Sequence, residues 1–207
     1  MDTATLTHPS LLLELRDCEN KQAWEDFVRI YSRLIYGFCC QRGLQQADAA
    51  DVTQEVLKTV ARTIQRFEYD PTRGRFRGWL LTVTRSKLNN FLGAQQRRLE
   101  SSGGTTLLQR LEETPTPEEE LKWDRELQQR LFEWASGRVR AEVTAKSWEV
   151  FLRTAVEGES GEAVGAALGL SVGAVYVAKS RVIARLRELI ASVGDGPPSI
   201  EEIVRTQ

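Results

Sequence analysis

The stretch GESGEAVGAALGLSVGAVYVAKSRVIARLRELI, residues 158–190, decides the fold of the carboxyl-terminal part of the chain. Its apolar residues recur at helical spacing and are interrupted by Gly169-Leu170-Ser171. The pattern therefore predicts a short helix ending at Leu168, a turn, and a longer helix from Val172. The Ser171 hydroxyl can cap the longer helix, and the alanines and glycines of the short one allow close packing. Two helices joined by such a turn form a helix-turn-helix.

Charge is unevenly distributed along the chain, although its 207 residues carry a formal net charge of only -1. Residues 71–99 contain seven Arg or Lys and no acid, and residues 163–187 contain four and no acid. Between these zones, residues 112–126 hold seven acids against two basic residues. Two basic zones separated by an acidic one indicate a polyanionic partner. The exposed side of the second motif helix is expected to be purely basic, which suits insertion into the DNA major groove.

The sequence predicts no catalytic residue, no metal site and no cofactor. His8 is the only histidine, so neither a catalytic triad nor a histidine metal site can be built, and the phosphate-binding patterns GxxxxGKS/T and GxGxxG are missing. Cys18, Cys39 and Cys40 lack CxxC spacing and are expected to be small buried hydrophobic residues. Because no secretory signal or membrane-spanning run is found, the chain is expected to be cytoplasmic.

The remainder of the chain also reads as helices, because apolar residues recur every three or four positions and no long alternating segment is present. Further helices are predicted at 10–15, 22–41, 47–67, from about 75, 121–143 and 148–156. The polar stretch 99–120, with SSGGTT and ETPTPEEE, reads as a flexible linker. The predicted fold is all-α, with two small helical domains joined by a flexible linker and the helix-turn-helix in the carboxyl-terminal one.

The most basic segment, FEYDPTRGRFRGWLLTVTRSKL at residues 67–88, combines cationic and aromatic side chains. Residues 69–74 form a turn by composition, and in the helix from about Arg75 the rings of Phe76 and Trp79 are at core spacing. Three cationic residues are expected on the outer side of this helix: Arg77, Arg85 and Lys87. Single-stranded nucleic acid requires cations for its phosphates and rings or pockets for its unstacked bases.

Three motifs occur in order along the chain: DAADVTQEV at 48–56, RFRGWLLTVTRSKL at 75–88, and GLSVGAV at 169–175 followed by SR and RLREL. Each resembles a segment of the sigma-70 family of RNA polymerase sigma factors, in the short extracytoplasmic-function group that retains only regions two and four. The resemblance implies the following division of the chain: region two over 10–98, a linker over 99–120, region four over 121–192 and a tail over 193–207.

The resemblance also implies roles for individual residues. Binding to the clamp coiled coil of the largest subunit of core RNA polymerase would use Asp48, Asp51, Gln54 and Glu55. Recognition and melting of the downstream promoter element would use Tyr69, Arg73, Arg75, Arg77, Trp79, Arg85, Ser86 and Lys87. Recognition of the upstream element would use Ser171, Tyr176, Lys179, Ser180, Arg181 and Arg185. Region four would also meet the flap of the second-largest subunit, and an anti-sigma factor would be a further partner.

Two other interpretations fit parts of the pattern. A stand-alone helix-turn-helix DNA-binding transcriptional regulator would use the amino-terminal helices for dimerisation or signal sensing. A carboxylate-based nucleic-acid enzyme would show metal-dependent cleavage that is lost on mutation of Asp48, Asp51 or Glu55. The three motifs in order favour a factor without covalent chemistry of its own, which brings core polymerase to a two-part promoter and assists its melting.

Overall fold

The computed structural model describes residues 11–66, 76–101 and 114–193, with side chains described up to residue 98 in the second range. Every regular element within these ranges is helical, which confirms the all-α prediction. The chain divides into two compact units, one formed by Leu12–Leu127 and the other chiefly by the residues from Gln128 onward. In the part of the chain that is described, no single helix is both long and apolar enough to cross a membrane.

Eight α-helices follow one another in the described ranges. They are α1 Leu11–Glu14, α2 Lys21–Gln41, α3 Gln46–Thr63, α4 Phe76–Ser101, α5 Pro117–Glu142, α6 Ala145–Phe151, α7 Gly161–Leu168 and α8 Val172–Val193. A 3-10 turn, Ile64–Arg66, extends α3, and a π-helical turn, Leu152–Val156, extends α6. The predicted helices 22–41, 121–143 and 148–156 thus agree with the structure to within a few residues, with the last split into α and π segments.

The first unit is built around α2, α3 and α4, with α3 packed against both of the others. The predicted apolar stripe of α3 faces inward: Val52, Val56, Val60 and Ile64 are all buried. The rings of Phe27 and Tyr31 on α2 meet Phe76 at the start of α4, with centroid distances of 6.2 and 5.7 Å. Trp79 lies 5.4 Å from Phe76 and is only half-buried. Phe76 is therefore a core residue as predicted, whereas Trp79 lies at the edge of the core.

The start of α5 differs from the sequence prediction. A linker was expected over 99–120, but α4 continues to Ser101 and α5 already begins at Pro117. The physical reason is a capping box: the Glu119 amide donates to Thr116 Oγ1 at 3.2 Å, and the Thr116 amide donates to Glu119 Oε2 at 3.2 Å. Proline is favoured at the first helical position. As a result, the first turns of α5, up to Leu127, belong to the amino-terminal unit.

The second unit contains the helix-turn-helix elements at the residues predicted for them. Helices α7 and α8 meet at 104°, within the range of such motifs, over a core of Val150, Val164 and Val175. The turn begins at Gly169, whose φ of 64° lies in the left-handed region that glycine adopts readily. At Gly165 a Cβ atom would lie 2.8 Å from the Leu170 carbonyl oxygen, so only glycine fits this close approach.

Candidate functional site

The outer face of α3 carries the four residues predicted to bind polymerase. Asp51, Gln54 and Glu55 are exposed, and Asp48 is half-buried at the margin of this face. The opposite face of the helix packs into the core. The acidic face of α3 is therefore turned toward solvent. Acids in the amino-terminal turns also interact favourably with the helix dipole. The structure therefore brings the four residues to one side of one rigid helix.

The acidic face of α3 adjoins a cationic one. Lys58 Nζ lies 2.8 Å from Glu55 Oε1, and this hydrogen bond is the largest cause of the lowered pKa of Glu55. The positive charges of Lys87 on α4 and of Arg62 lower the same pKa further. Glu55, from the predicted polymerase set, and Lys87, from the predicted DNA set, are thus electrostatic neighbours within one unit.

The residues predicted for the downstream promoter element fall into two groups. Tyr69, Arg73 and Arg75 lie outside the described residues. On α4, Ser86 is exposed and Lys87 is half-buried. Arg77 forms an ion pair with Asp124 of α5, with 3.1 Å between Nη2 and Oδ2. Arg77 was expected on the outer side of its helix, and it does reach the surface, but its charge is already matched by an acid of the same chain.

Arg85 does not lie on the outside of α4 as the sequence suggested. The residue is only 2% exposed, its Nη1 is ion-paired with Glu119, and its Nη2 donates to the Thr114 carbonyl oxygen at 3.1 Å. The prediction was wrong because helical periodicity indicates which side of α4 faces the α2–α3 core. It does not indicate that the start of α5 covers part of the other side. A buried guanidinium needs a charged partner, and Glu119 supplies it.

Glu119 also binds an arginine that the sequence analysis did not select. Its Oε1 is ion-paired with Arg42, whose guanidinium carbon lies 3.3 Å from the ring centroid of Phe38. Burial raises the pKa of Glu119, but hydrogen bonds from Arg42 and from the Thr116 amide, with the charge of Arg85, outweigh it and leave that pKa lowered. The only sequence signal for this contact is the Thr-Pro-Glu-Glu capping pattern, which identifies the helix start but not what it touches.

In the carboxyl-terminal unit, α8 presents part of the predicted recognition set. The Ser171 hydroxyl accepts a hydrogen bond from the Ala174 amide at 3.2 Å, which is the predicted cap. Ser180 and Arg181 are exposed, and Tyr176 is 58% exposed. The Tyr176 ring lies over Gly161, where a Cβ atom would come within 3.4 Å of Cε2. The tyrosine ring therefore lies against the first residue of α7.

Two basic residues of α8 are engaged within the protein rather than directed outward. Lys179 Nζ donates to the Thr154 carbonyl oxygen at 3.2 Å, where the π-helical turn leaves an acceptor unused. Arg185 Nε lies 2.6 Å from Glu142 and its Nη1 lies 2.7 Å from Glu188. Lys179 and Arg185 were both expected to be available to DNA. In the structure, Lys179 anchors α8 to the end of the π-helical turn, and Arg185 joins α8 to α5.

The exposed side of α8 is not purely basic, in contrast to the sequence prediction. Val172, Tyr176 and Val177 are exposed in its first two turns, next to Arg181. Tyr176 was predicted to face DNA, whereas Val172 and Val177 escaped the prediction because they continue the apolar periodicity of the helix without contributing to its buried stripe. The exposed side of α8 therefore combines apolar and cationic side chains.

Cysteine environments differ along the first unit. Cys39 is fully buried as predicted, and burial raises the pKa of its thiol to about 12. Cys18 is exposed, contrary to the prediction, because it follows α1 in a turn instead of lying on a packed helix face. Over the described ranges, no group of three or more His, Cys, Asp or Glu side chains is arranged to hold a metal ion.

A family model and a curated protein match the chain. Residues 27–98, which contain all of α3 and most of α2 and α4, match the family model of sigma-70 region 2. In an alignment of 176 residues that covers 82% of its length, the chain is 30% identical to the extracytoplasmic-function RNA polymerase sigma factor SigE of Mycolicibacterium smegmatis. The chain spans 62% of the length of that relative.

One solved structure also matches the chain. It is the sigma factor RpoE in a co-crystal with the anti-sigma factor NepR from Bartonella quintana. The match has 19% sequence identity and covers 82% of this chain and 97% of the other, with a TM-score of 0.36.

Proposed function

We propose that the chain is a dissociable transcription initiation factor of the sigma-70 family, in its extracytoplasmic-function group, as its match to sigma-70 region 2 and its similarity to SigE suggest. It binds core RNA polymerase, directs it to promoters with two separated elements, and assists melting of the downstream one. It acts in the cytoplasm and carries out no covalent chemistry of its own. Region two occupies 10–98 and region four occupies 121–192, although the first turns of α5, up to Leu127, pack with the first unit. An anti-sigma factor would act by covering the exposed surface of either region.

The observation that carries this proposal is the adjacency of two opposite surfaces in the first unit. Helix α3, with its exposed acids, packs against α4, which carries Lys87. One unit can therefore present the acids of α3 to a protein partner and Lys87 of α4 to nucleic acid, while Arg77 and Arg85 are paired with acids of α5. A factor that holds polymerase and promoter together requires this pairing, whereas a simple DNA-binding domain requires only the cationic half.

The polymerase contact is assigned to the exposed residues of α3. Hydrogen-bond acceptors and one amide donor are supplied by Asp51, Gln54 and Glu55. Among the described contacts, no cation is paired with Asp51 or Gln54. Such residues suit a basic, helical partner surface, and the family resemblance identifies that surface as the clamp coiled coil. Charge complementarity of this kind accelerates association and is weakened by salt.

The upstream contact is assigned to the first turns of α8. Arg181 and Ser180 can reach phosphates or base edges, while Tyr176 and Val172 provide apolar contacts. Base contacts specify the sequence and phosphate contacts set the register. Lys179 and Arg185 contribute indirectly, since their hydrogen bonds hold α8 in place.

Co-purification with core polymerase tests the proposal against its main alternative. We expect the full chain to co-elute with core polymerase at near-physiological ionic strength and to direct transcripts from specific promoters. A stand-alone regulator would bind duplex DNA in the absence of polymerase and would not co-elute. Protein that is folded by circular dichroism yet neither co-elutes nor directs a transcript contradicts the proposal.

A further inference from the structure

The first turns of α5 cover cationic side chains of the first unit. We call residues 117–127 the docking segment. Three of its acids make long-range contacts: Glu119 pairs with Arg42 and Arg85, Asp124 pairs with Arg77, and Glu126 accepts a hydrogen bond from Gln41 at 2.9 Å. The acids therefore meet the carboxyl-terminal end of α2 and the amino-terminal half of α4.

A buried aromatic contact holds the docking segment at its centre. Trp123 is only 2% exposed, and its ring meets Phe38 edge-on with a centroid distance of 5.4 Å. The other two acids of the first helical turn, Glu118 and Glu120, are exposed and make no hydrogen bond or ion pair with the described residues. The segment thus directs one particular carboxylate of its first turn, Glu119, at the two arginines.

We propose that the docking segment is an internal competitor of nucleic-acid phosphate for Arg42, Arg77 and Arg85. The inference rests on the proposed function, because it takes the cationic side of α4 as a surface for promoter DNA. Carboxylates and phosphates bind guanidinium groups through the same bidentate hydrogen bonds. Arg42, which no family motif selected, is part of the same phosphate-binding surface.

Competition follows from the burial of Arg85. With 3% of its side chain accessible, Arg85 has no room for a phosphate while Glu119 is in place. A phosphate can reach the guanidinium only after the docking segment has left. Docking of the segment and binding of DNA at this position are therefore mutually exclusive states of one surface, and the protein is held in the closed state until a polyanion or a partner protein displaces the segment.

The docked state is imperfectly satisfied, which favours its reversal. Trp123 Nε1 and Arg42 Nε are buried without a hydrogen-bond partner among the described residues. A buried donor without a partner loses its hydration and gains nothing in return. Release would return both groups to water, and this gain offsets part of the lost ion pairing and aromatic packing.

A charge-neutral variant tests the proposal in the full chain. Glu119→Gln removes the carboxylate but keeps a side chain that can complete the capping box. Glu118→Gln is the matched control. It removes an equal charge from the neighbouring residue, whose side chain is exposed. Binding to a fluorescent, mixed-sequence single-stranded oligonucleotide is followed by anisotropy at several salt concentrations.

We expect Glu119→Gln to bind the oligonucleotide roughly threefold to tenfold more tightly than Glu118→Gln. Its affinity should also depend more steeply on salt, by about 0.7 in the logarithmic slope for each arginine newly engaged. Equal affinities and equal slopes for the two variants, including the case in which neither binds, would overturn the proposal.

Hydrogen exchange on the wild-type chain provides a second test that needs no variant. Addition of the oligonucleotide should accelerate exchange of the amides of residues 120–127, because DNA displaces the docking segment. Unchanged or slower exchange there would refute the competition. Co-elution of the same preparation with core polymerase separates the two claims. If co-elution persists while exchange is unaffected, the internal competitor is excluded and the initiation function stands, whereas failure to co-elute excludes the function itself.

Discussion

Arg85 on α4 and Glu119 on α5, 34 positions apart in the chain, form an ion pair in which the guanidinium is almost completely buried. The pair joins the segment expected to bind DNA to the acidic segment expected to be a linker. Its existence shows that the basic and acidic zones of the sequence contact each other inside the protein. Removal of one partner from such a pair leaves a buried charge without compensation.

The Arg85–Glu119 pair should make stability depend on pH in the acid range. The pKa of Glu119 is lower in the folded chain than in the unfolded one. Its contribution is therefore complete above the unfolded value of about 4.3 and is lost as the pH falls through the lower folded value. Urea unfolding should give a larger free energy of unfolding for wild type than for Glu119→Gln near pH 6. This difference should disappear below about pH 4. A gap that stays constant across this range would mean that the charge of Glu119 is irrelevant to folding.

Gly165 should be indispensable for the helix-turn-helix. An alanine there would place its Cβ atom 2.8 Å from the Leu170 carbonyl oxygen, which is backbone and cannot move independently. We expect Gly165→Ala to lower the free energy of unfolding of this unit by about 1–3 kcal/mol. Gly173→Ala is the control, because nothing lies within 4 Å of its added carbon and alanine favours a helix. Equal stabilities of the two variants would show that the turn tolerates a shift.

Arg181 and Arg185 should behave differently although both lie on α8. Arg181 is exposed, so Arg181→Gln should weaken binding to promoter DNA and reduce the logarithmic salt slope by about 1. Arg185 is held by Glu142 and Glu188, so Arg185→Gln should leave the salt slope nearly unchanged and lower the thermal stability. Fluorescence anisotropy over a salt series measures both variants. A reduced slope for Arg185→Gln with unchanged stability would return that residue to the DNA interface.

The predicted polymerase-binding face of α3 can be tested independently of DNA binding. The double variant Gln54→Ala with Glu55→Ala should weaken binding to core polymerase roughly tenfold, because both side chains are exposed and make no buried contact. Glu25→Ala, an exposed acid on α2, serves as the control for loss of charge. Biolayer interferometry with immobilised core polymerase gives the affinities. If control and double variant lose the same affinity, the contact is a general charge effect.

The sequence predicted the elements of the fold well, because their signals are local. The apolar stripe of α3, the Ser171 cap and the turn at Gly169 each depend on residues within a few positions of one another. The family resemblance, which rested on three such local motifs, is confirmed over residues 27–98 by the region 2 match. The roles of the individual site residues stay predictions.

The apolar periodicity of the sequence did not predict which residues the charged side chains contact in the folded chain. Arg85, Lys179 and Arg185 each lie at an outward or marginal position of their own helix, and each is engaged by another element of the chain. Helical spacing identifies the main core face but not a second surface that a later segment covers. The capping pattern at Thr116 would have placed the start of α5 correctly, but the contact of Glu119 with Arg42 depends on a separation of 77 residues.

The most direct test of the central claim is to sequence the 5′ ends of transcripts made in vitro by core polymerase, with and without this chain, on genomic DNA of its source. We predict a set of start sites that depend on the chain and share two sequence elements upstream at a fixed separation. Start sites that are the same in both reactions, obtained with folded protein at near-physiological ionic strength, would contradict the account.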